Sequence, residues 1–209
     1  MIDVTQQINA VRRTIGTRTL EAGEARVSTI SQVYETDIED LWEAVTSPER
    51  IPRWFLPISG ELKEGGHYQL EGNAGGTITR CDRPHGYSAT WEFGGTVSWI
   101  EVRLRPAGGG TRFELEHMAH VADEFRDQFG PTATGIGWDM GLYGLAGHLA
   151  DPDGAVKPED AVAWMQSEDG KRFMRLSADA WTEAYVATGA DPDTARGMAD
   201  RGYAAYTGG

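Results

Sequence analysis

The chain has 209 residues, a formal net charge of −13 and a hydrophobic fraction of 40%. This length suits one domain, or one domain with an extension, and the apolar content suffices for a core, which argues against a disordered chain. The 19 basic residues against 32 acidic ones disfavour a nucleic-acid partner and an anionic membrane surface, because both require a concentrated basic surface.

The N-terminal segment lacks the composition of a secretory signal. Asp3 comes early and no apolar run follows it. No stretch of the chain has the length needed to span a bilayer, so we expect no membrane insertion and a cytoplasmic location. Cys81 is the single cysteine, which excludes an internal disulfide and a cysteine-rich metal site.

The predicted elements begin after a polar N-terminal segment. Residues 1–25 have a weak apolar spacing that predicts a short amphipathic arm. Residues 25–35 alternate in polarity and predict a strand. The helix that follows has capping-box spacing between Thr36 and Glu39, and Ser47-Pro48-Glu49 is typical of the start of a short second helix.

The region from Ile58 to about Ala119 predicts strands and turns. About six strands follow at hairpin intervals, separated by turns rich in glycine and proline, so we expect antiparallel pairing. After them, one apolar stripe predicts a long helix that ends before Asp151, and its members are Trp138, Leu142, Leu145 and Leu149. Residues 151–209 predict a helical extension with two helices and a third that begins at Pro192.

Several of these segments carry a family likeness. They are VYETDIEDLWEAVTSPERIPRWFLP, GELKEGGHYQL, CDRPHGYSATWEF, FELEH and GWDMGLYGLAGHL. Together they resemble the START-related (SRPBCC) ligand-binding superfamily, and within it the branch named for homology to the activator of Hsp90 ATPase. The resemblance covers roughly residues 26–150 and includes no catalytic motif that could be carried over.

The resemblance implies an α+β helix-grip fold, in which a curved, seven-stranded antiparallel sheet surrounds a long C-terminal helix and leaves an internal cavity. It divides the chain into an N-terminal arm (1–25), a START-like ligand-binding domain (26–150) and a helical extension packed on that domain (151–209). It also implies a frequent function, the binding of a hydrophobic small molecule. Relatives include lipid carriers and polyketide cyclases or aromatases.

Strand alternation and the stripe of the long helix nominate the wall of this cavity. Phe113, Leu115 and His117 share one face of their strand, and Trp91 and Phe93 share a face of another. A mostly apolar wall with few polar groups is the usual composition of a small-molecule site. The candidate ligand-binding residues are Trp54, Phe55, Tyr68, Trp91, Phe93, Ile100, Val102, Phe113, Leu115, His117, Trp138, Asp139, Leu142 and Tyr143.

Three features leave alternatives open. Trp54 and Phe55 either cap one end of the cavity or pack as an ordinary core corner. His117 could orient a ligand or exchange protons with it, because histidine titrates near neutrality. The alternative is a buried histidine that is hydrogen-bonded to its neighbours. The glycines of the long helix allow close packing or leave room for a ligand; they are Gly135, Gly137, Gly141, Gly144 and Gly147.

Three functions are compatible with this sequence. The leading hypothesis is the binding of a hydrophobic or aromatic small molecule, without a metal or another cofactor. The first alternative is a cyclase- or aromatase-type enzyme acting on a polyketide-like substrate, with His117, Tyr143 and Asp139 as acid or base candidates. The second is a co-chaperone-like protein-interaction module. Whether a reaction is catalysed and whether the chain forms a homodimer both stay open.

Overall fold

The computed structural model describes residues 2–21, 23–120, 124–154 and 157–208. The helices are α1 (Val4–Ala10), α2 (Ile38–Thr46), α3 (Glu124–Phe129), α4 (Thr132–Ala150), α5 (Pro158–Gln166), α6 (Glu168–Val186) and α7 (Pro192–Thr207), and a 3-10 turn spans Ile51–Arg53. The strands are β1 (Arg12–Leu20), β2 (Gly23–Tyr34), β3 (Ile58–Gly60), β4 (His67–Leu70), β5 (Gly75–Asp82), β6 (Gly86–Phe93), β7 (Thr96–Ala107) and β8 (Gly110–His120).

Within the described ranges, eight strands form one open sheet in the order β1-β2-β8-β7-β6-β5-β4-β3. The predicted α+β class is confirmed, but the expected number of seven strands is wrong by one. The additional strand is β1, which the weak apolar spacing assigned to an amphipathic arm. Only α1 of that arm is helical, because the segment after it is rich in β-branched residues that favour a strand, namely Thr14, Ile15, Thr17 and Thr19.

The chain divides into two compact units. The first comprises Met1–Ile30, His120–Tyr143 and Val156–Gly209, and the second comprises Ser31–Ala119 and Gly144–Ala155. The three-part division predicted from the sequence stays a prediction.

The first unit contains α1, β1, most of β2, α3, the first part of α4, and α5, α6 and α7. Its apolar core is formed by Val4, Ile8, Ile136, Phe173, Met174, Ala178 and Ala199. Ser167 ends α5 and also caps α6, because its side chain accepts a hydrogen bond from the Gly170 amide. The C-terminal extension therefore folds as the three helices that its periodicity predicts.

Two local details of the second unit differ from the sequence prediction. The N-cap of α2 is Asp37, whose carboxylate accepts from the Asp40 amide, and Thr36 instead donates its hydroxyl to the Asp40 carboxylate. The predicted second helix is only the 3-10 turn at Ile51–Arg53. Pro52 is tolerated there because the first positions of a helix need no amide donor.

The register of β6, β7 and β8 gives this part of the sheet two different faces. Directly paired residues project to the same side of a sheet, and the pairs Ala89–Ile100, Val102–Leu115 and Leu104–Phe113 define one side. We call this side the apolar face; its members include Ala89, Trp91, Ile100, Val102, Leu104, Phe113 and Leu115. We call the opposite side the charged face; its members include Glu101, Arg103, Glu114 and Glu116.

Candidate functional site

The apolar face becomes more exposed toward the β6–β7 turn. Along β6, Ala89 is buried, Trp91 is half-buried and Phe93 is 57% exposed. Along β7, the buried residues Val102 and Ile100 are followed by the half-buried Ser98. We call the group of Trp91, Phe93, Ser98 and His117 the rim of the apolar face.

The opposite end of the same face is more buried, since Leu104 and Phe113 there are 0% and 4% exposed. The ring of Trp42 on α2 lies edge-on against Tyr87 on β6, with a centroid distance of 6.4 Å. Burial raises the pKa of Tyr87 to about 12, which keeps its hydroxyl protonated at neutral pH. Of the two ends, the rim is therefore the more accessible one.

A hydrogen-bonded pair stands at the rim. The Nε2 atom of His117 lies 2.8 Å from Ser98 Oγ, and Ser98 Oγ donates to the Trp91 carbonyl oxygen over 3.0 Å. The Trp91 and His117 rings are neighbours, with centroids 6.2 Å apart. Because the carbonyl can only accept, the single hydroxyl hydrogen of Ser98 goes to it, and Nε2 of His117 carries the proton of the other hydrogen bond.

This proton arrangement bears on the chemistry of the pair. An activated serine nucleophile donates its hydroxyl hydrogen to a neighbouring imidazole, which serves as the base. Here the direction is reversed, since the imidazole of His117 donates to Ser98. The pair is thus a fixed polar group in an apolar wall rather than a nucleophile with its base.

Tyr68 on β4 also has a defined partner. Its hydroxyl donates to the Thr90 carbonyl oxygen over 2.7 Å, and its side chain is buried. Burial raises the pKa of Tyr68, followed by electrostatic interactions with Tyr87 and Glu92. The phenol therefore stays protonated and ties β4 to β6.

Trp54 and Phe55 pack against each other with a ring-centroid distance of 5.5 Å, and both are half-buried. The Trp54 indole donates to the Ala44 carbonyl oxygen over 2.9 Å. The backbone of Trp54 also passes so close to Gly144 that a Cβ atom there would overlap the Trp54 carbonyl oxygen. These contacts favour the core-corner interpretation for Trp54.

Arg50, in the segment between α2 and β3, forms hydrogen bonds to residues of two helices, α2 and α4. Its Nη1 donates to the Asp40 carboxylate over 2.7 Å, and its Nε donates to Nε2 of His148 over 3.1 Å. Burial, followed by the charges of Arg50 and Arg53, lowers the pKa of His148, so its ring is neutral and can accept this bond. Burial tends to raise the pKa of Asp40, but hydrogen bonds from Thr36 and Arg50 outweigh it and leave that pKa lowered.

Four candidates from the long helix belong to the first unit, namely Trp138, Asp139, Leu142 and Tyr143. Asp139 is 1% exposed. Its carboxylate accepts two hydrogen bonds from Arg13, at 2.9 and 2.6 Å, one from Ser177 at 2.6 Å and one from Trp181 at 3.0 Å. Its assignment to a ligand site stays a prediction, and the surrounding geometry is that of a structural ion pair.

The other three helix candidates also lie in packed surroundings. Leu142 is buried and Trp138 is half-buried. Tyr143 stacks on Trp164 at a centroid distance of 4.8 Å, and its hydroxyl donates to the Ile2 carbonyl oxygen over 3.2 Å. Burial raises the pKa of Tyr143, followed by the charges of Asp169 and Asp3.

A groove of about 350 Å³ in the second unit is polar in character. Strands β5, β6 and β7 line it, with Arg80, Asp82, His85, Glu101, Arg103 and Arg105 among its residues. Arg103 is paired with Glu101 at 2.7 Å and with Glu116 at 3.0 Å. Tyr87, Val102 and Leu104 also line the groove, but charged side chains are more numerous, unlike the mostly apolar wall that the sequence predicts for a ligand site.

Sequence reasoning missed Ser98. Ser98 has the same parity as Ile100 and Val102 on β7 and so projects to the same side of the sheet. A polar residue that continues an apolar face is a signal that could have nominated it. The hydrogen bond between Ser98 and His117 depends on the registers of β6, β7 and β8, and the polarity pattern of one strand does not reveal these registers.

The fold and the two-faced sheet place this chain among START-related proteins with the helix-grip fold. The sequence profile of the family described as activator of Hsp90 ATPase homolog 1-like protein matches residues 35–150. The chain belongs to this family, and the predicted recognition is confirmed. Comparison with curated proteins gives no match. None of the helices in the described part of the chain combines the length and the hydropathy of a membrane-spanning segment.

Solved structures support the family relationship. The solution structure of CalU16 from Micromonospora echinospora is 36% identical with a TM-score of 0.69, and the match covers 87% of this chain and 97% of that one. The crystal structure of CalU16 is 34% identical with a TM-score of 0.66, over 84% and 98% of the two chains. A protein from Rhodobacter sphaeroides, 21% identical with a TM-score of 0.55 over 67% and 97% of the chains, is similar in fold.

Proposed function

We propose that this protein binds a hydrophobic or aromatic small molecule on the apolar face of its sheet, at the rim. The observation that carries the proposal is the change in exposure along that face, from buried aliphatic side chains to the half-buried Trp91 and Ser98. Small-molecule sites combine such an apolar surface with a few convergent polar groups. His117 and Ser98 are the polar groups at this position.

Family membership supports the same function, because binding a hydrophobic small molecule is what the START-related resemblance implies. The aromatic residues of the rim favour a ligand with a flat ring, since offset-stacked and edge-to-face ring pairs add to the energy of apolar burial. The cyclase and co-chaperone alternatives stay predictions, and the proton arrangement of Ser98 and His117 adds no support for covalent catalysis.

The test compares two tryptophans that lie on opposite faces of neighbouring strands. Trp91 belongs to the apolar face, whereas Trp99 projects to the charged face, and both are half-buried. We expect wild-type protein to bind the fluorescent probe 1-anilinonaphthalene-8-sulfonate saturably under native conditions. Trp91→Ala should weaken this binding about tenfold or more through lost apolar contact, and Trp99→Ala should leave it unchanged.

Circular dichroism of both variants checks that they are folded. The proposal fails if the folded wild-type protein shows no saturable probe binding. It also fails if Trp99→Ala weakens binding as much as Trp91→Ala, because the apolar face would then have no special role.

A further inference from the structure

Within the described ranges, the hydroxyl of Ser98 has one unused hydrogen-bonding site. A hydroxyl group has one hydrogen and two acceptor lone pairs. The hydrogen goes to the Trp91 carbonyl oxygen and one lone pair accepts from His117 Nε2. Among the described residues the second lone pair has no partner, so Ser98 can accept one more hydrogen bond but has no hydrogen left to donate.

The position of Ser98 makes this site available to a ligand. The side chain is half-buried and projects to the same side of β7 as Ile100. His117, which is paired directly with Ile100 on the adjacent strand, is buried and holds Ser98 Oγ from the β8 side. The direction of the remaining Ser98 lone pair is thereby fixed by the Trp91 carbonyl on β6 and by His117 on β8.

We propose that Ser98 determines ligand specificity: its free lone pair selects an aromatic ligand that carries an O–H or N–H donor, such as a phenol. This inference rests on the proposed function, because it assumes that the ligand occupies the rim. His117 is a positioning residue, since it orients the hydroxyl without contacting the ligand's donor. A ligand that offers only an ether or carbonyl oxygen would place two acceptors against each other.

The energetic reason for selectivity is the cost of an unpaired polar group. An acceptor that loses water on ligand binding and gains no donor forfeits a hydrogen bond, and sites built around such groups reject analogues that lack the donor. One neutral hydrogen bond of this kind corresponds to about tenfold in affinity.

The experiment uses two probes that differ at one group, 2-naphthol with a hydroxyl donor and 2-methoxynaphthalene with only an ether acceptor. Their dissociation constants are measured by competition with 1-anilinonaphthalene-8-sulfonate for wild type and Ser98→Ala. We expect the preference of wild type for 2-naphthol to fall about tenfold in Ser98→Ala. The ratio of the two dissociation constants is compared between wild type and Ser98→Ala. This comparison cancels the contribution of the difference in hydrophobicity between the probes.

Two control variants separate the proposed role from a structural one. Ser98→Thr keeps the hydroxyl and should retain the preference. Ser88→Ala removes a half-buried hydroxyl from the charged face, where Ser88 pairs with Glu101, and should also retain it. A loss of preference in Ser88→Ala as large as in Ser98→Ala would overturn the inference.

A second measurement is independent of any ligand. Nitrogen-15 NMR of the His117 ring should show Nε2 protonated in the neutral imidazole. An unprotonated Nε2 would overturn the inference, because Ser98 would then donate its hydrogen to the ring.

The two proposals fail in different ways. If both naphthalene probes bind wild type and Ser98→Ala with the same ratio of affinities, the specificity inference is wrong and the proposed function stands. If neither probe nor 1-anilinonaphthalene-8-sulfonate binds folded wild type, the proposed function is wrong and the inference fails with it.

Discussion

Asp139 illustrates what a single residue's sequence context leaves out. The sequence nominated it, together with Tyr143, as a ligand-binding residue and as an acid or base candidate. Its partners in the fold are Arg13, Ser177 and Trp181, none of which is within 35 residues of it in the chain. The position of the Arg13 side chain is also fixed by the backbone, because its Nη1 donates hydrogen bonds to the carbonyl oxygens of Ile8 and Val11. Long-range pairing of this kind cannot be read from a local pattern.

We predict that Asp139→Asn strongly destabilises the protein. Removing the charge leaves Arg13, whose side chain is only 5% exposed, buried without its counter-ion, which costs about 3–5 kcal/mol. The free energy of unfolding is measured by urea denaturation. The control is Asp179→Asn, which removes a more exposed partner of Arg175 on α6 and should cost at most about 0.5 kcal/mol. Equal effects of the two substitutions would contradict the structural role of Asp139.

The residues of the apolar face were easier to predict than Asp139. The alternation that nominated Phe113, Leu115 and His117 agrees with the observed register, because a strand has a period of two regardless of its neighbours. The pairing of His117 with Ser98 depends on two further strands. To predict this pairing, one must know that Trp91 lies opposite Ser98. The two-residue Gly94-Gly95 turn between β6 and β7 sets that register.

Turn signals and periodicity predicted most of the elements. Glycine- and proline-rich turns delimit β3 to β8, and the apolar stripe predicted α4 with its end before Asp151. The failures lie where two patterns compete. Residues 1–25 were predicted as one amphipathic arm from a weak apolar spacing, but in residues 12–20 β-branched side chains and pairing in the sheet give β1.

The glycines of α4 differ in what surrounds them. At Gly144 a Cβ atom would overlap the Trp54 carbonyl oxygen, and at Gly135 it would meet the Trp181 indole. At Gly147 no neighbouring atom lies within 4 Å of that position. Close packing therefore explains Gly144 and Gly135, and the alternative of room left for a ligand loses its support at these two positions.

This difference gives a matched pair of substitutions in one helix. Gly144→Ala should destabilise the protein by about 1–3 kcal/mol, because the backbone of Trp54 must shift to accept the new methyl group. Gly147→Ala should stabilise it by up to about 1 kcal/mol, because alanine is the better helix former and the position is open. Thermal denaturation followed by circular dichroism measures both. A stabilised Gly144→Ala variant would show that the close contact with Trp54 does not constrain the helix.

At the scale of the whole molecule, the sequence predicts the fold class and the family well. Apolar content, antiparallel strand intervals and one long apolar helix point to an α+β architecture, and the family profile covers residues 35–150. The accessible end of the apolar face could not be predicted. The strand pattern makes Ile100 and Ser98 equivalent in facing, and their different exposure arises only from tertiary packing.

The most direct test of the proposed function is to locate a bound aromatic molecule by NMR on methyl-labelled protein. With 2-naphthol added, we predict intermolecular nuclear Overhauser effects to the methyl groups of Ile100 and Leu115, on the apolar face. The exposed Val97, which projects to the charged face, and Val162 on α5 should show none. Effects confined to Val97 or Val162, with unchanged signals from Ile100 and Leu115, would contradict binding on the apolar face.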